Sequence, residues 1–298
     1  MASEGGHWAK MAVYSKPGGQ PSQIMPQSPP LVLTFAASDP TGGAGVQADV
    51  LTLASMGCHP LSVITALTVQ DTAGVSDVLA IDADWVADQA RMLLEDMPVD
   101  VFKLGLLGSV EAISVIAEIL SDYPDIPVVL DPVLASGRGD ELASEDMVSA
   151  MKDMLLPQTT LLIPNSIEAR RLAAGEAGDE ELDLTLCARR LTDLGCEYVL
   201  ITGTHENTPR VHNLLFDASG QVQTDSWDRL PGSFHGSGCT LASAIAGCLA
   251  WGQDIPQAVR EGQDFTLEAL KAAFRPGMGQ YIPERFFWAQ EAPAEGSA

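Results

Sequence analysis

The segment Phe234-His235-Gly236-Ser237-Gly238-Cys239-Thr240-Leu241-Ala242 sets two glycines at the mouth of an apolar helical stretch and a thiol on its first turn. Unpaired N–H groups at a helix start, together with the partial positive charge of the helix dipole, receive an anion, and phosphate is the expected ligand. Gly236 and Gly238 let the backbone come close to a phosphoryl group, and the N–H groups of Ser237, Gly238 and Cys239 converge on the charge that spreads over a group in transfer. A thiol on such a turn is expected to have its pKa lowered from about 8.5, which makes Cys239 a candidate base near neutrality. The same letters also fit a glycine turn that only enters a buried helix, with Cys239 as a small core residue.

Other polar residues fall where apolar strand patterns end: Ser38 and Asp39, Gln70, Asp131, Asn165 and Thr202. Open α/β sheets place their sites at such carboxyl ends. Gln70 can donate and accept through one side chain, or simply bond a loop at its strand end. Asp131 precedes Pro132, a position that also suits a turn. Asn165-Ser166-Ile167-Glu168 reads as a helix cap with a reciprocal glutamate, and Asp49 as a charge near a helix start. His205, His212 and His235 have no metal-ligand spacing and read as loop histidines. Neither G-x-x-x-x-G-K-[ST] nor G-x-G-x-x-G occurs, so the phosphate site is of another kind.

The elements that must hold these residues alternate along the chain. Leu31 to Phe35, Pro60 to Val69, Val99 to Leu104, Pro127 to Leu130, Thr160 to Ile163 and Tyr198 to Ile201 are apolar strand patterns, and Gly45 to Met56 and Asp84 to Glu95 are helical. Val211 to Phe216 and Gln221 to Trp227 flank Asp217-Ala218-Ser219-Gly220 as a hairpin, and Cys239 to Ala250 and Gln257 to Phe274 close the chain as helices. Repeated βα units with wholly apolar strands predict a mostly parallel sheet covered on both faces, with a late antiparallel pair at one edge. Residues 1–30, rich in Gly, Pro, Ser and Gln, read as a flexible leader, 31–290 as one α/β domain, and 291–298 as a disordered tail.

Composition narrows the function. The 298 residues carry a formal net charge of −24 with only sixteen Lys and Arg, which argues against nucleic acid or an anionic membrane as partner. An anionic nucleotide approaching such a surface is repelled, so backbone N–H groups, a few basic residues and a divalent metal must offset that locally. Five cysteines without C-x-x-C spacing argue against a disulfide framework or zinc site and fit a reducing cytoplasm. No apolar stretch reaches bilayer-spanning length, and no signal-peptide core is evident.

Three motifs in order, Ala36-Ala37-Ser38-Asp39-Pro40-Thr41-Gly42-Gly43-Ala44-Gly45-Val46-Gln47-Ala48-Asp49, Ser62-Val63-Ile64-Thr65-Ala66-Leu67-Thr68-Val69-Gln70-Asp71-Thr72 and His235-Gly236-Ser237-Gly238-Cys239-Thr240-Leu241, resemble the hydroxymethylpyrimidine/phosphomethylpyrimidine kinases of thiamine biosynthesis, within the ribokinase-like superfamily. The likeness covers roughly residues 31–275 and implies a ribokinase-like three-layer αβα sandwich. It implies ATP and Mg2+ as cofactors, a small pyrimidine as acceptor, and a homodimer, since dimerisation is common in that family. By the same resemblance Gln70 and Asp49 contact the pyrimidine, Ala37, Leu106 and Val133 wall its ring, and Gly236, Ser237, Gly238 and Cys239 form the catalytic turn. Gln70 suits the amino group and ring nitrogen of an aminopyrimidine by the geometry that lets glutamine read adenine.

Asp131 and Glu168 resemble the family's metal-ordering acids, and Asp131, Asn165, Thr202 and Gly203 stand on the nucleotide side. Thr202 occupies the place where many relatives have a lysine that reaches nucleotide phosphates, which implies altered nucleotide affinity; Lys103 or Arg138 are candidates to supply the charge. Most ribokinase-like enzymes carry Asp where Cys239 stands, and a thiol removes its repulsion of a phosphomonoester acceptor. Pyridoxal or pyridoxine kinase is the alternative activity within this superfamily, and a non-catalytic pyrimidine sensor the alternative class.

Overall fold

The computed structural model describes residues 28–137, 139–174 and 182–289. The expected leader up to residue 27, Arg138 and the expected tail lie outside the described residues. The strands are β1 (Leu31–Ser38), β2 (His59–Gln70), β3 (Val75–Ala80), β4 (Val101–Leu104), β5 (Val128–Leu130), β6 (Leu161–Leu162), β7 (Tyr198–Ile201), β8 (Arg210–Asp217) and β9 (Gly220–Asp228). The helices are α1 (Gly45–Ser55), α2 (Ala83–Asp96), α3 (Val110–Asp122), α4 (Glu145–Ala150), α5 (Ser166–Ala173), α6 (Leu184–Asp193), α7 (Ser237–Ala250) and α8 (Ile255–Lys271).

One sheet runs β3-β2-β1-β4-β5-β6-β7-β8-β9. Pairing is parallel from β2 through β7 and antiparallel at β3, β8 and β9. Because strand side chains alternate, each central strand feeds two cores. Leu33, Phe35, Phe102, Leu104 and Leu130 pack on one side with Ile113, Ile116, Met147, Leu172 and Leu191 from α3 to α6. Val32, Val101, Val129 and Leu161 pack on the other with Leu53, Ile245 and Phe265 from α1, α7 and α8. The result is the three-layer sandwich expected from the wholly apolar strands.

The late hairpin β8–β9 lies where its turn residues put it, at one edge. The opposite edge is antiparallel as well, through β3, an element whose short sequence Val-Ser-Asp-Val-Leu-Ala interrupts its apolar residues with Ser76 and Asp77 and has no fully buried side chain. Beyond the pairing of Ser38 with Leu67, β2 outruns β1, and its last residues pair only with β3. This two-stranded flap carries Gln70 past the end of the sheet.

Among the described residues, six of the eight α-helices begin with a side-chain cap: Asp82, Ser109, Ser144, Asn165, Asp183 and Asp254 bond the N–H groups of their first turns. The remaining two, α1 behind Ala44 and α7 behind Gly236, have none. Their first-turn N–H groups are left for other acceptors, and both helices start at the same place.

Candidate active site

A cavity of about 320 Å³ opens at the carboxyl ends of β1, β4, β5, β6 and β7. Strand order reverses between β1 and β4, so the cavity spans the switch point at which open α/β sheets bind ligands. Ser38, Asp39, Gln70, Asp131, Asn165 and Thr202, singled out as strand-end residues, all line it. Ala37, Leu106 and Val133 also line it and fall in one small apolar cluster with Ala66, Val78 and Leu142, as a ring wall requires.

Gly236 caps α7 with φ +80, in the left-handed region, and a Cβ there would stand 1.8 Å from the Gly43 carbonyl oxygen. Two glycine turns therefore touch backbone to backbone. Gly236, Ser237, Gly238 and Cys239 line the cavity, and Gly238 lies over Asp131, whose Oδ2 would be 3.8 Å from an added Cβ. Cys239 is half-buried, with the start of α1 and the Asp131 carboxylate close enough to influence its thiol. Burial pushes the thiol up to about 12; Lys103 opposes this, but Asp131 and Asp49 reinforce it. Cys239 is thus a neutral thiol in this site, not the lowered-pKa base its place on a helix start suggested. The sequence shows the helix start but not the two carboxylates behind it.

Asp49, expected beside the pyrimidine, is instead walled off below the cavity floor. It is fully buried, and its carboxylate accepts from Lys103 Nζ at 2.8 and 3.0 Å, Thr34 Oγ1 at 2.6 Å and Ser243 Oγ at 2.7 Å. Thr34 and Lys103 are register partners on β1 and β4, so the sheet aims both at α1. Lys103, also fully buried, reaches the cavity lining. Burial alone would lower its pKa, but Asp49 first, then Cys239 and Asp131, hold it above the ordinary lysine value. Lys103→Met would strand a buried carboxylate, and its urea midpoint is expected to fall by the equivalent of about 3 kcal/mol at unchanged m-value.

Asp131 and Glu168 face each other across the floor. Burial pushes Asp131 up to about 6, with Lys103 opposing and Asp49 reinforcing; burial and then Asp131 push Glu168 up to about 8. Glu168 also completes the expected capping box: its Oε2 accepts from the Asn165 N–H at 2.9 Å while Asn165 Oδ1 accepts from the Ile167 and Glu168 N–H groups. The cap reading and the floor position are both realised.

Of the residues expected to face the nucleotide, Thr202 lines the cavity, but Gly203 does not. Its N–H is taken by Asn213 Oδ1 at 3.1 Å, and β8 packs so closely that a Cβ would stand 2.2 Å from the His212 carbonyl oxygen. Thr204 and His205 line the cavity in its stead.

His235 is no bare loop histidine. Its Nε2 lies 2.8 Å from Asp39 Oδ2, and it lines the cavity. Asp39 also accepts from the Thr41 N–H and hydroxyl and the Ala44 N–H, fixing the glycine turn before α1. Burial would raise the Asp39 pKa, but the bonds from His235, Thr41 and Ala44 outweigh it and hold the carboxyl below its usual value. A depressed folded-state pKa favours folding above the unfolded value near 3.9, and this contribution is lost as pH falls through the lower folded value. Asp39→Asn is therefore expected to destabilise by about 2 kcal/mol near neutrality, with the gap to wild type closing in urea melts run at about pH 2.5.

A parallel sheet with its cavity at the switch point, and an uncapped glycine-led helix start instead of a phosphate loop, define a small-molecule kinase of the ribokinase-like class. The chain belongs to the phosphomethylpyrimidine kinase family, whose model matches residues 39–284. It is 39% identical over 258 residues to a hydroxymethylpyrimidine/phosphomethylpyrimidine kinase of Streptomyces coelicolor, covering 85% of this chain and 93% of the relative. Among solved structures, the Staphylococcus aureus pyridoxal kinase in complex with AMP-PCP and pyridoxal matches with a TM-score of 0.78 at 28% identity, covering 88% of this chain and 96% of that one. A phosphomethylpyrimidine kinase of Clostridium difficile 630 matches with a TM-score of 0.69 at 31% identity, covering 81% and 99%. Among the described residues, no helix is long and apolar enough to cross a membrane.

Proposed function

We propose that this chain transfers the γ-phosphoryl group of ATP to the hydroxymethyl group of 4-amino-5-hydroxymethyl-2-methylpyrimidine and then to the resulting monophosphate, in thiamine biosynthesis. The carrying observation is Gln70. Its carboxamide lines the cavity with no hydrogen-bond partner among the described residues, so it is not the loop-bonding glutamine of the plainer reading. Both its donor and its acceptor are open to an aminopyrimidine edge. Ala37, Leu106 and Val133 then close on the ring, with the acceptor hydroxyl directed to the start of α7.

The first-turn N–H groups of α7 stabilise charge on the group in transfer. Lys103, held from beneath by Asp49, adds a fixed positive charge. Phosphoryl transfer is largely dissociative, so the acceptor hydroxyl keeps its proton until late in the step and releases it to an oxygen of the transferred phosphoryl group, while the neutral Cys239 thiol stays uncharged beside the acceptor. Asp131 and Glu168 suit Mg2+, which takes one or two carboxylates and completes its shell with phosphate oxygens and water. Burial, and for Glu168 the neighbouring Asp131 as well, disfavours the charged carboxylates, a cost that a bound cation would offset. Bound there, the ion would neutralise charge on the nucleotide phosphates.

ADP release on mixing the purified chain with ATP, Mg2+ and each acceptor tests this reading. Turnover with the hydroxymethylpyrimidine and its monophosphate, and at most weak turnover with pyridoxal, is expected. Faster turnover with pyridoxal would move the assignment to pyridoxal kinase. Tight pyrimidine binding with flat ADP release would move it to a sensor.

A further inference from the structure

Arg285 comes from the C-terminal stretch and lies one residue beyond the part of the chain matched by the family model. It is 3% exposed and does not line the cavity. Its guanidinium donates to the Gly42 carbonyl at 3.2 Å, to the Gly43 carbonyl, and to Thr240 Oγ1 at 3.2 Å. The Thr240 hydroxyl donates onward to the Gly236 carbonyl at 2.8 Å. One side chain thus ties the glycine turn before α1 to the cap of α7, at the point where the two backbones touch.

The partners of this guanidinium are all neutral oxygens, with no carboxylate in ion-pair contact among the described residues. Burial pulls its pKa below the usual guanidinium value, opposed from further off by Cys239, Asp49 and Asp39, and a guanidinium stays charged under such pressure. As a mere tie this is a costly choice, because a buried cation without a close counter-charge loses hydration that neutral oxygens only partly replace. The charge has a use in its place behind the uncapped start of α7. There it adds to the dipole and N–H field that an incoming anion meets in a low-dielectric setting.

We infer that Arg285 is a positioning residue for phosphoryl transfer, holding the two glycine turns in the geometry that receives the phosphoryl group and lending its charge to the α7 start from behind. The inference rests on the phosphoryl-transfer reading of this site. Wild-type ADP release tests that reading, and variants at position 285 test this one.

Arg285→Gln keeps a donor and removes the charge, whereas Arg285→Lys keeps the charge and loses the fork. For Arg285→Gln, kcat for both acceptors is expected to fall about tenfold to a hundredfold. Affinity for ADP with aluminium fluoride should fall by the same factor, while the dissociation constant of the uncharged hydroxymethylpyrimidine, read by calorimetry, stays within about twofold. Arg285→Lys, the variant least exposed to misfolding, is expected to lose about threefold to tenfold in kcat and in aluminium-fluoride affinity together, again with pyrimidine binding intact. Wild-type kcat in either variant, or loss of pyrimidine affinity in parallel with kcat, would overturn the inference and leave Arg285 a purely structural clamp.

Discussion

Cys239→Asp is expected to keep phosphorylation of the hydroxymethylpyrimidine within about tenfold of wild type while slowing phosphorylation of the monophosphate by about a thousandfold. The thiol is neutral where it stands, pushed up to about 12 by burial and by Asp131 and Asp49. An aspartate there would add an anion next to a floor that already holds Asp131 and Glu168. The first acceptor is uncharged and meets that anion only through the nucleotide. The second brings its own phosphate, and two unit charges about 4 Å apart at an effective dielectric of 20 oppose each other by up to about 4 kcal/mol. At about 1.36 kcal/mol per decade this is nearly a thousandfold in rate. Separate kcat/KM measurements on the two acceptors decide the matter, and equal losses would show that the thiol is not there to admit a phosphomonoester.

Asp131→Asn should abolish both steps nearly equally, by about a thousandfold in kcat, because one of the two carboxylates proposed to hold the cation is lost. Calorimetric affinity for the pyrimidine should be unchanged, since Gln70, Ala37 and Leu106 are untouched. Burial outweighs the attraction of Lys103 at this carboxylate, so replacing it with an amide is expected to leave the melting temperature no lower than wild type. Retained activity at ordinary Mg2+ concentrations would remove Asp131 from the metal site. A fall in melting temperature would mean that attraction to Lys103 outweighs the cost of burying the carboxylate.

Much of this site was legible because its parts are local. The Gly236 to Cys239 turn, the Asn165 to Glu168 cap and the strand-end placement of Gln70, Asp131 and Thr202 each follow from a few adjacent residues and the known habits of parallel sheets. What stayed hidden is long-range. The Asp49 carboxylate looked available until Lys103 arrived from β4 and Ser243 from α7 to fill its bonding capacity. His235 looked like a loop residue because its partner Asp39 lies 196 positions away. Gly203 read as part of an open turn, and only the approach of β8 closes it off. β3 escaped notice for a different reason: a short edge strand with no fully buried side chain carries no continuous apolar run to reveal it. The sheet itself was recovered because burial on both faces leaves continuous apolar runs, and the antiparallel pair at its far edge announced itself by turn residues alone.

The tie between the Gly42–Gly43 turn and residue 285 bridges 243 and 242 positions, so nearly the whole described chain must exist before it can form. A nascent polypeptide that has left the ribosome only through α8 already owns β1 to β9 and α1 to α8. It does not yet own the clasp. The contact that sets the two glycine turns against each other is therefore among the last to form as the chain is made.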